Sequence, residues 1–281
     1  MDGPLPTANE ENSVIWPELW AAFTDHRNNI KRVLCNLSPG SKGRLCILGA
    51  GRTADLDLMD LVNHFSQIDL VDIHPTVTHE ALLQRGFDKH PKVKAIGGID
   101  VTGLSKQWMR FKKSPSEFNL QQIIDSSRDV KIGLGQYDVV ASTCLLSQIL
   151  RNVQECLQAT EIPSSVAQDY FPKIIKSIRQ SHIELVLQHT LPGSSSVLVT
   201  DLTSTEALPE MLEANADLNR LISTEVVKGN HFPGLNPLAI SEALRYEGIA
   251  NKLAHSRMSA PWIWNSIESQ YLCVAYRLDR K

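Results

Sequence analysis

The sequence predicts an α/β protein built on a mostly parallel β-sheet that helices cover on both faces. Five short apolar runs with strand character alternate with segments whose apolar residues recur at helical spacing. Such alternation is typical of a parallel sheet. The chain has 281 residues, of which 42% are hydrophobic and 21% are charged. A chain of this length and composition can bury a substantial core.

The five predicted strands are short and apolar, and they comprise residues 44–48, 68–71, 93–96, 137–141 and 195–199. Right-handed crossovers place the carboxyl ends of parallel strands at the same edge of the sheet. Ligands of such sheets bind in the crevice outside those ends. The residues that follow the strands are therefore the candidate site, namely 49–53, 72–74, Asp100, 142–144 and Asp201.

Helices are predicted before, between and after these strands. Pro17 suits the first turn of a helix whose apolar residues recur as far as Leu37. A second helical pattern follows the first strand, from Asp55 to about Phe65, and a long one spans about 166–189. Near the carboxyl end, two strand-like runs can pair as an antiparallel hairpin, and they comprise residues 262–264 and 271–276.

Charge and composition exclude several classes of partner. Lys and Arg number 28 against 31 Asp and Glu, so the formal net charge is -3 and no basic field exists to hold duplex nucleic acid. No apolar run reaches the roughly 18 residues of a membrane helix, and the polar opening residues are unlike a secretory signal. The five cysteines form no CxxC motif, and no metal-binding spacing occurs. We therefore predict a reduced, cytoplasmic protein without a metal.

The most informative constellation joins the ends of the first two strands. Gly49 and Gly51 follow the first strand, and Asp72 ends the second strand 21 residues after Gly51. Glycine lets the backbone approach a ligand closely, and a carboxylate at the second strand end can accept both hydroxyl hydrogens of a ribose. The pattern favours a nucleoside site. The alternative is that the glycines only shape a βα turn and that Asp72 is an exposed strand-end acid.

Two kinds of nucleoside ligand remain open on the residues alone. Residues 49–54 also match GxGxx[GA], the dinucleotide fingerprint, in which a pyrophosphate rests on a helix N-terminus. Asp55 and Asp57 lie in the first turn of the predicted helix and would repel a pyrophosphate. A ligand with a sulfonium and an ammonium group has no such conflict, although screening of exposed acids makes the effect modest.

Four segments resemble the successive motifs of class I S-adenosylmethionine-dependent methyltransferases, and they comprise residues 48–51, 70–73, 99–101 and 140–143. The resemblance covers about residues 42–280, so we predict an α/β domain over 42–281 preceded by a tail and helix over 1–41. It implies a Rossmann-like, seven-stranded sheet whose last strand runs antiparallel, with S-adenosylmethionine as cofactor. The cofactor-binding residues that it implies are Gly49, Ala50, Gly51, Asp72, Ile73, Asp100, Val101, Ser142 and Thr143.

The sequence departs from that family pattern at two positions. Ile47 stands where the family usually has an acid two residues before its first loop glycine, and Thr53 stands in place of the third glycine. The methionine ammonium of the cofactor therefore lacks its usual partner. These departures motivate one alternative, a non-catalytic binding protein that keeps the methyltransferase fold. A nicotinamide-dependent oxidoreductase that uses the same loop is the other alternative.

Methyl transfer from a sulfonium is an in-line displacement that depends mainly on holding the two reacting atoms about 3 Å apart. A hydroxyl acceptor also benefits from a general base. The candidates for this catalytic role are Asp201, at the end of the fifth strand, and His231, in a loop rich in glycine and proline. We also expect Ser147, shortly after the fourth strand, to line the side of the site that binds the acceptor. Because no nucleic-acid or peptide-binding module is visible, we predict a small-molecule acceptor.

Overall fold

The computed structural model describes residues 16–40, 42–229, 232–266 and 269–281. These residues form one eight-stranded sheet with helices packed around it. The strands in chain order are β1 Arg44–Leu48, β2 Gln67–Val71, β3 Val93–Ile96, β4 Tyr137–Thr143, β5 Thr190–Ser204, β6 Leu253–Met258, β7 Trp262–Asn265 and β8 Gln270–Arg280. All five strands predicted from apolar runs are present. β6 was not predicted, because its side chains are largely exposed and its sequence lacks an apolar run.

The strands are hydrogen-bonded in the order β3-β2-β1-β4-β5-β8-β6, and β7 pairs with β8 to one side of this path. The first five strands in that order are parallel, whereas β8 runs antiparallel to β5, β6 and β7. The register places Leu48 beside both Val71 and Ser142, so the carboxyl ends of β1, β2 and β4 form one continuous edge. The predicted mostly parallel sheet, its reversed last strand and the closing hairpin are confirmed, with eight strands rather than seven.

Helices cover both faces of the sheet, as predicted. They are α1 Trp16–Ala22, α2 Thr24–Leu37, α3 Leu58–His64, α4 Val77–Gln84, α5 Ser105–Lys113, α6 Glu117–Ser126, α7 Leu145–Gln158, α8 Ser164–His189, α9 Leu218–Thr224, α10 Pro237–Leu244 and α11 Glu247–Ala250. Alternate residues of β1 enter different cores. Ile47 packs with α2 and α3, whereas Leu48 packs with α8 on the other face. No helix in the described ranges is long and apolar enough to cross a membrane.

Three element boundaries differ from the sequence prediction. The first predicted helix is two helices, which meet at Phe23. The helix predicted from Asp55 begins at Leu58, because the Asp57 side chain accepts the backbone N–H of Asp60 and caps it. Strand β5 continues beyond Asp201 to Ser204 through an irregularity in its pairing with β8. Asp201 therefore lies inside a strand rather than at its end.

Candidate active site

The turn after β1 is fixed to the end of β2 by backbone hydrogen bonds. The N–H groups of Gly49 and Ala50 both donate to the carbonyl of Val71, over 2.8 and 3.0 Å. Gly49 has a φ of +72°, and a Cβ built there would lie 2.8 Å from the Leu145 Cδ1 atom. Glycine is therefore required at this position, because it allows the first residue of α7 to pack directly on the turn.

Gly51 and Asp72 meet at the carboxyl edge of the sheet, as the sequence predicts. The N–H of Gly51 donates to Oδ2 of Asp72 over 2.8 Å, and the N–H of His74 donates to Oδ1 over 2.9 Å. These two bonds fix the direction of the carboxylate, and each oxygen keeps a second lone pair for a ligand. No described residue places an atom within 4 Å of a Cβ built on Gly51, so the described part of the chain leaves the space above this glycine open. Ile73 follows Asp72 at the rim and is half-buried.

Two arginines hold the loop between Gly51 and α3. Arg85 donates from Nη1 to the carbonyl and hydroxyl of Thr53, both over 2.8 Å, and from Nη2 to the carbonyl of Leu56. Arg27 of α2 donates to the carbonyl of Ala54 over 3.0 Å. Thr53 has a φ of +58°, the left-handed conformation that glycine adopts most readily. The threonine thus keeps a glycine-like backbone, and Arg85 stabilises it.

The predicted residues after β3 have a structural role in the turn that leads to α5. Oδ1 of Asp100 accepts hydrogen bonds from the N–H and hydroxyl of Thr102, and Oδ2 accepts the corresponding pair from Ser105. Burial alone would raise the pKa of Asp100, but these bonds hold it below its usual value. Val101 is buried beneath the turn. The cofactor-binding role of Asp100 and Val101 therefore stays a prediction.

The two predicted residues of β4 point in different directions. The Ser142 hydroxyl is fully buried and lies 2.8 Å from Nε2 of His182 in α8, so this side chain faces the interior rather than the groove. Thr143 lies beside the carboxyl of Asp55. Burial raises the pKa of Asp55 to about 6, and the Thr143 hydroxyl offsets part of the shift. Asp55 is therefore an acid near the site, although the sequence analysis assigned it to a helix. Ile47 is fully buried among apolar groups.

A hydrogen-bonded cluster links α2 to β7 and to the residue that follows β4. The indole N–H of Trp262 donates to Nδ1 of His26 over 3.0 Å, and Nε2 of His26 lies 3.9 Å from the Cys144 sulfur. An indole N–H is only a donor, so Nδ1 carries no proton and His26 is neutral. Burial, and then the charge of Arg27, lower the pKa of His26 to about 3.

Asp201 belongs to the same buried region. Its Oδ1 is hydrogen-bonded to the Ser147 hydroxyl, which also lies 2.9 Å from the carbonyl of Cys144. Burial raises the pKa of Asp201, and the Ser147 hydroxyl and the Arg151 guanidinium offset only part of this effect. Asp201 is therefore a buried acid whose hydrogen-bond partner, Ser147, lines a cleft.

A cleft of about 500 Å³ opens beside this pair, and its lining includes Ser147, Leu150, Arg151, Gln154, Thr203, Ser204, Glu206, Ala207, Phe232 and Pro233. His231, the second predicted catalytic residue, lies outside the described residues. Phe232 and Pro233, which follow it in the chain, line the cleft. Ser147, Arg151 and Gln154 recur at spacings of four and three on α7. This polar helical stripe was a signal that sequence reasoning could have used.

The order and direction of the strands decide the class of fold. Five parallel strands in the order 3-2-1-4-5 are followed by the reversed strand β8, which separates β5 from β6. The typical dinucleotide-binding fold instead continues as 3-2-1-4-5-6 with parallel strands. The chain has the class I methyltransferase fold. In this methyltransferase fold the glycine turn follows the first strand and Asp72 follows the second, where the resemblance places them.

Comparison with solved structures returns chains that are similar to this one at low sequence identity. N-methyltransferase NodS from Bradyrhizobium japonicum WM9, solved with S-adenosyl-L-homocysteine, is 12% identical over 92% of this chain and 87% of its own, with a TM-score of 0.46. An O-methyltransferase family protein from Burkholderia thailandensis is 12% identical over 96% of this chain and 61% of its own, with a TM-score of 0.47. YcgJ from Bacillus subtilis is 9% identical over 90% and 99%, with a TM-score of 0.46. No family model and no curated protein matches the sequence.

Proposed function

We propose that the chain is an S-adenosylmethionine-dependent methyltransferase that acts on a small molecule. The observation that carries this proposal is the pairing of Gly51 with Asp72. The described residues leave the space above the glycine open. Two backbone N–H groups fix the carboxylate beside it, and each carboxylate oxygen keeps a free lone pair. This combination suits a ribose, whose two hydroxyl groups need a rigid acceptor next to a backbone without a side chain.

The neighbouring residues fit the rest of such a cofactor. The turn at Gly49 and Ala50 would contact the methionine part, and Ile73 would cover one side of the nucleoside. Asp55 supplies a carboxyl close to Thr143, at the edge between β1 and β4. We propose Asp55 as the partner of the methionine ammonium, the role for which Ile47 lacks a charge. The positive ligand would also lower the pKa of this carboxyl and keep it ionised.

Residues that would bind the second substrate lie on the α7 side of the same edge. When bound, the cofactor supplies a methyl group from its sulfonium, and the rest of the cofactor leaves as a thioether. The chain would position the acceptor, because the cleft at Ser147 and Thr203 adjoins the carboxyl ends of β4 and β5. Holding an acceptor atom in line with the methyl group is the main requirement of this reaction. Phe232 on the opposite wall would exclude water from the acceptor.

A dinucleotide fits this site less well, since the helix after the glycine loop already has its own cap. The N-terminus of α3 is closed by the Asp57 side chain, and Lys31 pairs with Asp57 and Asp60 over 3.0 and 2.7 Å. A pyrophosphate would have to displace this carboxylate from the helix N-terminus. The oxidoreductase alternative therefore has no supporting observation at the residues that carry it.

Calorimetric titration with S-adenosylhomocysteine and with NAD tests the proposal. We expect the homocysteine ligand to bind and Asp72→Ala to weaken its affinity by about 1–3 kcal/mol, the scale of losing charge-assisted hydrogen bonds. Asp169→Ala, which removes an exposed acid of α8, is the matched control and should leave the affinity unchanged. Binding of NAD alone would contradict the proposal, and failure of both ligands at millimolar concentration would favour a non-catalytic protein.

A further inference from the structure

Among the residues that the structure describes, the lining of the cleft contains one cation, Arg151, and one exposed acid, Glu206. Arg151 of α7 extends over the ring of Phe232, with its guanidinium carbon 5.4 Å from the ring centroid. Within the ranges that the structure describes, no carboxylate forms an ion pair with Arg151. Glu206 is exposed to solvent, and Thr203 and Ser204 also line the cleft.

Behind Ser147, which lines the cleft, lies the buried carboxyl of Asp201. The Ser147 hydroxyl is within hydrogen-bond reach of Asp201 Oδ1 and of the Cys144 carbonyl, and a hydroxyl has only one hydrogen to donate. Both contacts are hydrogen bonds when Ser147 shares its hydrogen between the two oxygens, or when Asp201 carries a proton and donates it to Ser147. Burial of Asp201, which is only 4% exposed, raises its pKa and favours the second arrangement.

A proton on Asp201 would change the role that the sequence predicts for this residue. A protonated carboxyl cannot accept a proton from an acceptor, so Asp201 would not act as a general base. The acceptor would then have to bring a nucleophile that is already ionised or electron-rich at neutral pH. Arg151 lines the same cleft and is exposed to solvent, so an anion can reach its guanidinium.

We propose that the cleft binds a small-molecule carboxylate through Arg151 and that this carboxylate is the methyl acceptor. The guanidinium can donate two parallel hydrogen bonds to a carboxylate, and the ring of Phe232 lies beside it. A carboxylate is ionised at neutral pH and needs no base. The volume of the cleft suits a molecule of metabolite size.

The reaction part of this inference rests on the proposed function, and its atoms balance without a proton transfer. A carboxylate oxygen forms a bond to the methyl carbon while the carbon–sulfur bond breaks. The electron pair of the broken bond stays on sulfur. The products are a methyl ester and a neutral thioether, so no group of the chain has to take up a proton.

Two probes of equal size and opposite charge test the binding site without knowledge of the natural acceptor. Phenylacetate and 2-phenylethylamine are each titrated into the full chain, up to about 10 mM, and followed by amide NMR shifts. We expect phenylacetate to bind, Arg151→Gln to weaken it about tenfold or more, and Glu206→Gln to strengthen it slightly. Arg128→Gln, at an exposed arginine of another surface, is the matched control and should have no effect.

Several results would overturn the inference. These are no binding of phenylacetate, unchanged binding to the Arg151→Gln variant, or binding of the amine that depends on Glu206. Titration with S-adenosylhomocysteine separates this inference from the proposed function. Arg151-dependent binding of phenylacetate without binding of that ligand would leave the anion site standing and remove the methyltransferase. The reverse result would keep the methyltransferase and overturn the carboxylate acceptor.

Infrared spectroscopy tests the state of Asp201 independently. At neutral pH the chain should show the C=O absorption of a protonated carboxylic acid, and the Asp201→Asn variant should lack that band. If the wild-type and Asp201→Asn spectra do not differ in this region, Asp201 is ionised, and the argument against a general base fails. The measurement requires neither cofactor nor acceptor.

Discussion

Lowering the pH from 7 to 4 is expected to cost the fold about 3 kcal/mol through His26 alone. The pKa of this histidine is lowered from 6.5 to about 3 in the folded chain, because burial and the charge of Arg27 oppose protonation. A group with a lowered folded pKa stabilises the fold above its unfolded pKa. That contribution is lost as the pH falls from 6.5 towards 3. Protonation would also displace the indole of Trp262 from Nδ1.

Urea unfolding of the wild type and His26→Gln at pH 7 and pH 4 measures this effect. The variant should be less stable at pH 7, because it disturbs a stack with Trp264 at 4.4 Å. Its stability should fall by about 3 kcal/mol less than that of the wild type between the two pH values. His64→Gln, at an exposed histidine of α3, gives the effect of removing a surface histidine. Equal pH dependence of wild type and His26→Gln would refute the neutral, buried state of His26.

Alanine at Gly49 and at Gly51 should affect different properties of the chain. At Gly49 the new Cβ would have a positive φ and lie 2.8 Å from Leu145, so we expect a loss of about 2–5 kcal/mol of stability. At Gly51 the φ is +47° but the space is open, so the cost is about 1–2 kcal/mol. The Cβ at Gly51 would instead occupy the space proposed for the cofactor.

Thermal unfolding and calorimetry separate the two variants. Gly49→Ala should unfold at a clearly lower temperature than Gly51→Ala, whereas Gly51→Ala should bind S-adenosylhomocysteine at least tenfold more weakly than the wild type. Each variant is thus the control for the other. Normal affinity in Gly51→Ala would mean that the ligand does not pass over this glycine. Equal stability of the two variants would contradict the packing of Leu145.

The fold was predictable because its determinants are local. Buried parallel strands are short apolar runs, and the glycines after β1 mark a turn that needs positive φ. The meeting of Gly51 with Asp72 followed from topology alone, since parallel strands end at one edge. The register of β1 with β2 pairs Leu48 with Val71 and so brings Gly51 and Asp72 close together.

Other parts of the site depend on contacts between residues distant in sequence. His26 and Trp262 are 236 positions apart, and nothing in either segment indicates that they share a hydrogen bond. The burial of Ser142 could not be predicted either, because its hydroxyl contacts His182 of α8, which is 40 positions away in sequence. Asp55 was assigned to the helix after β1, but that helix begins at Leu58, after the cap at Asp57. Side-chain direction and burial decided each of these cases.

A crystal structure of the chain with S-adenosylhomocysteine tests the central assignment most directly. We expect the ribose above Gly51, with both hydroxyl groups within hydrogen-bond reach of the Asp72 carboxylate, and the sulfur directed towards the cleft at Ser147. A ligand bound elsewhere, or a groove closed over Gly51 by the chain's own side chains, would contradict the assignment.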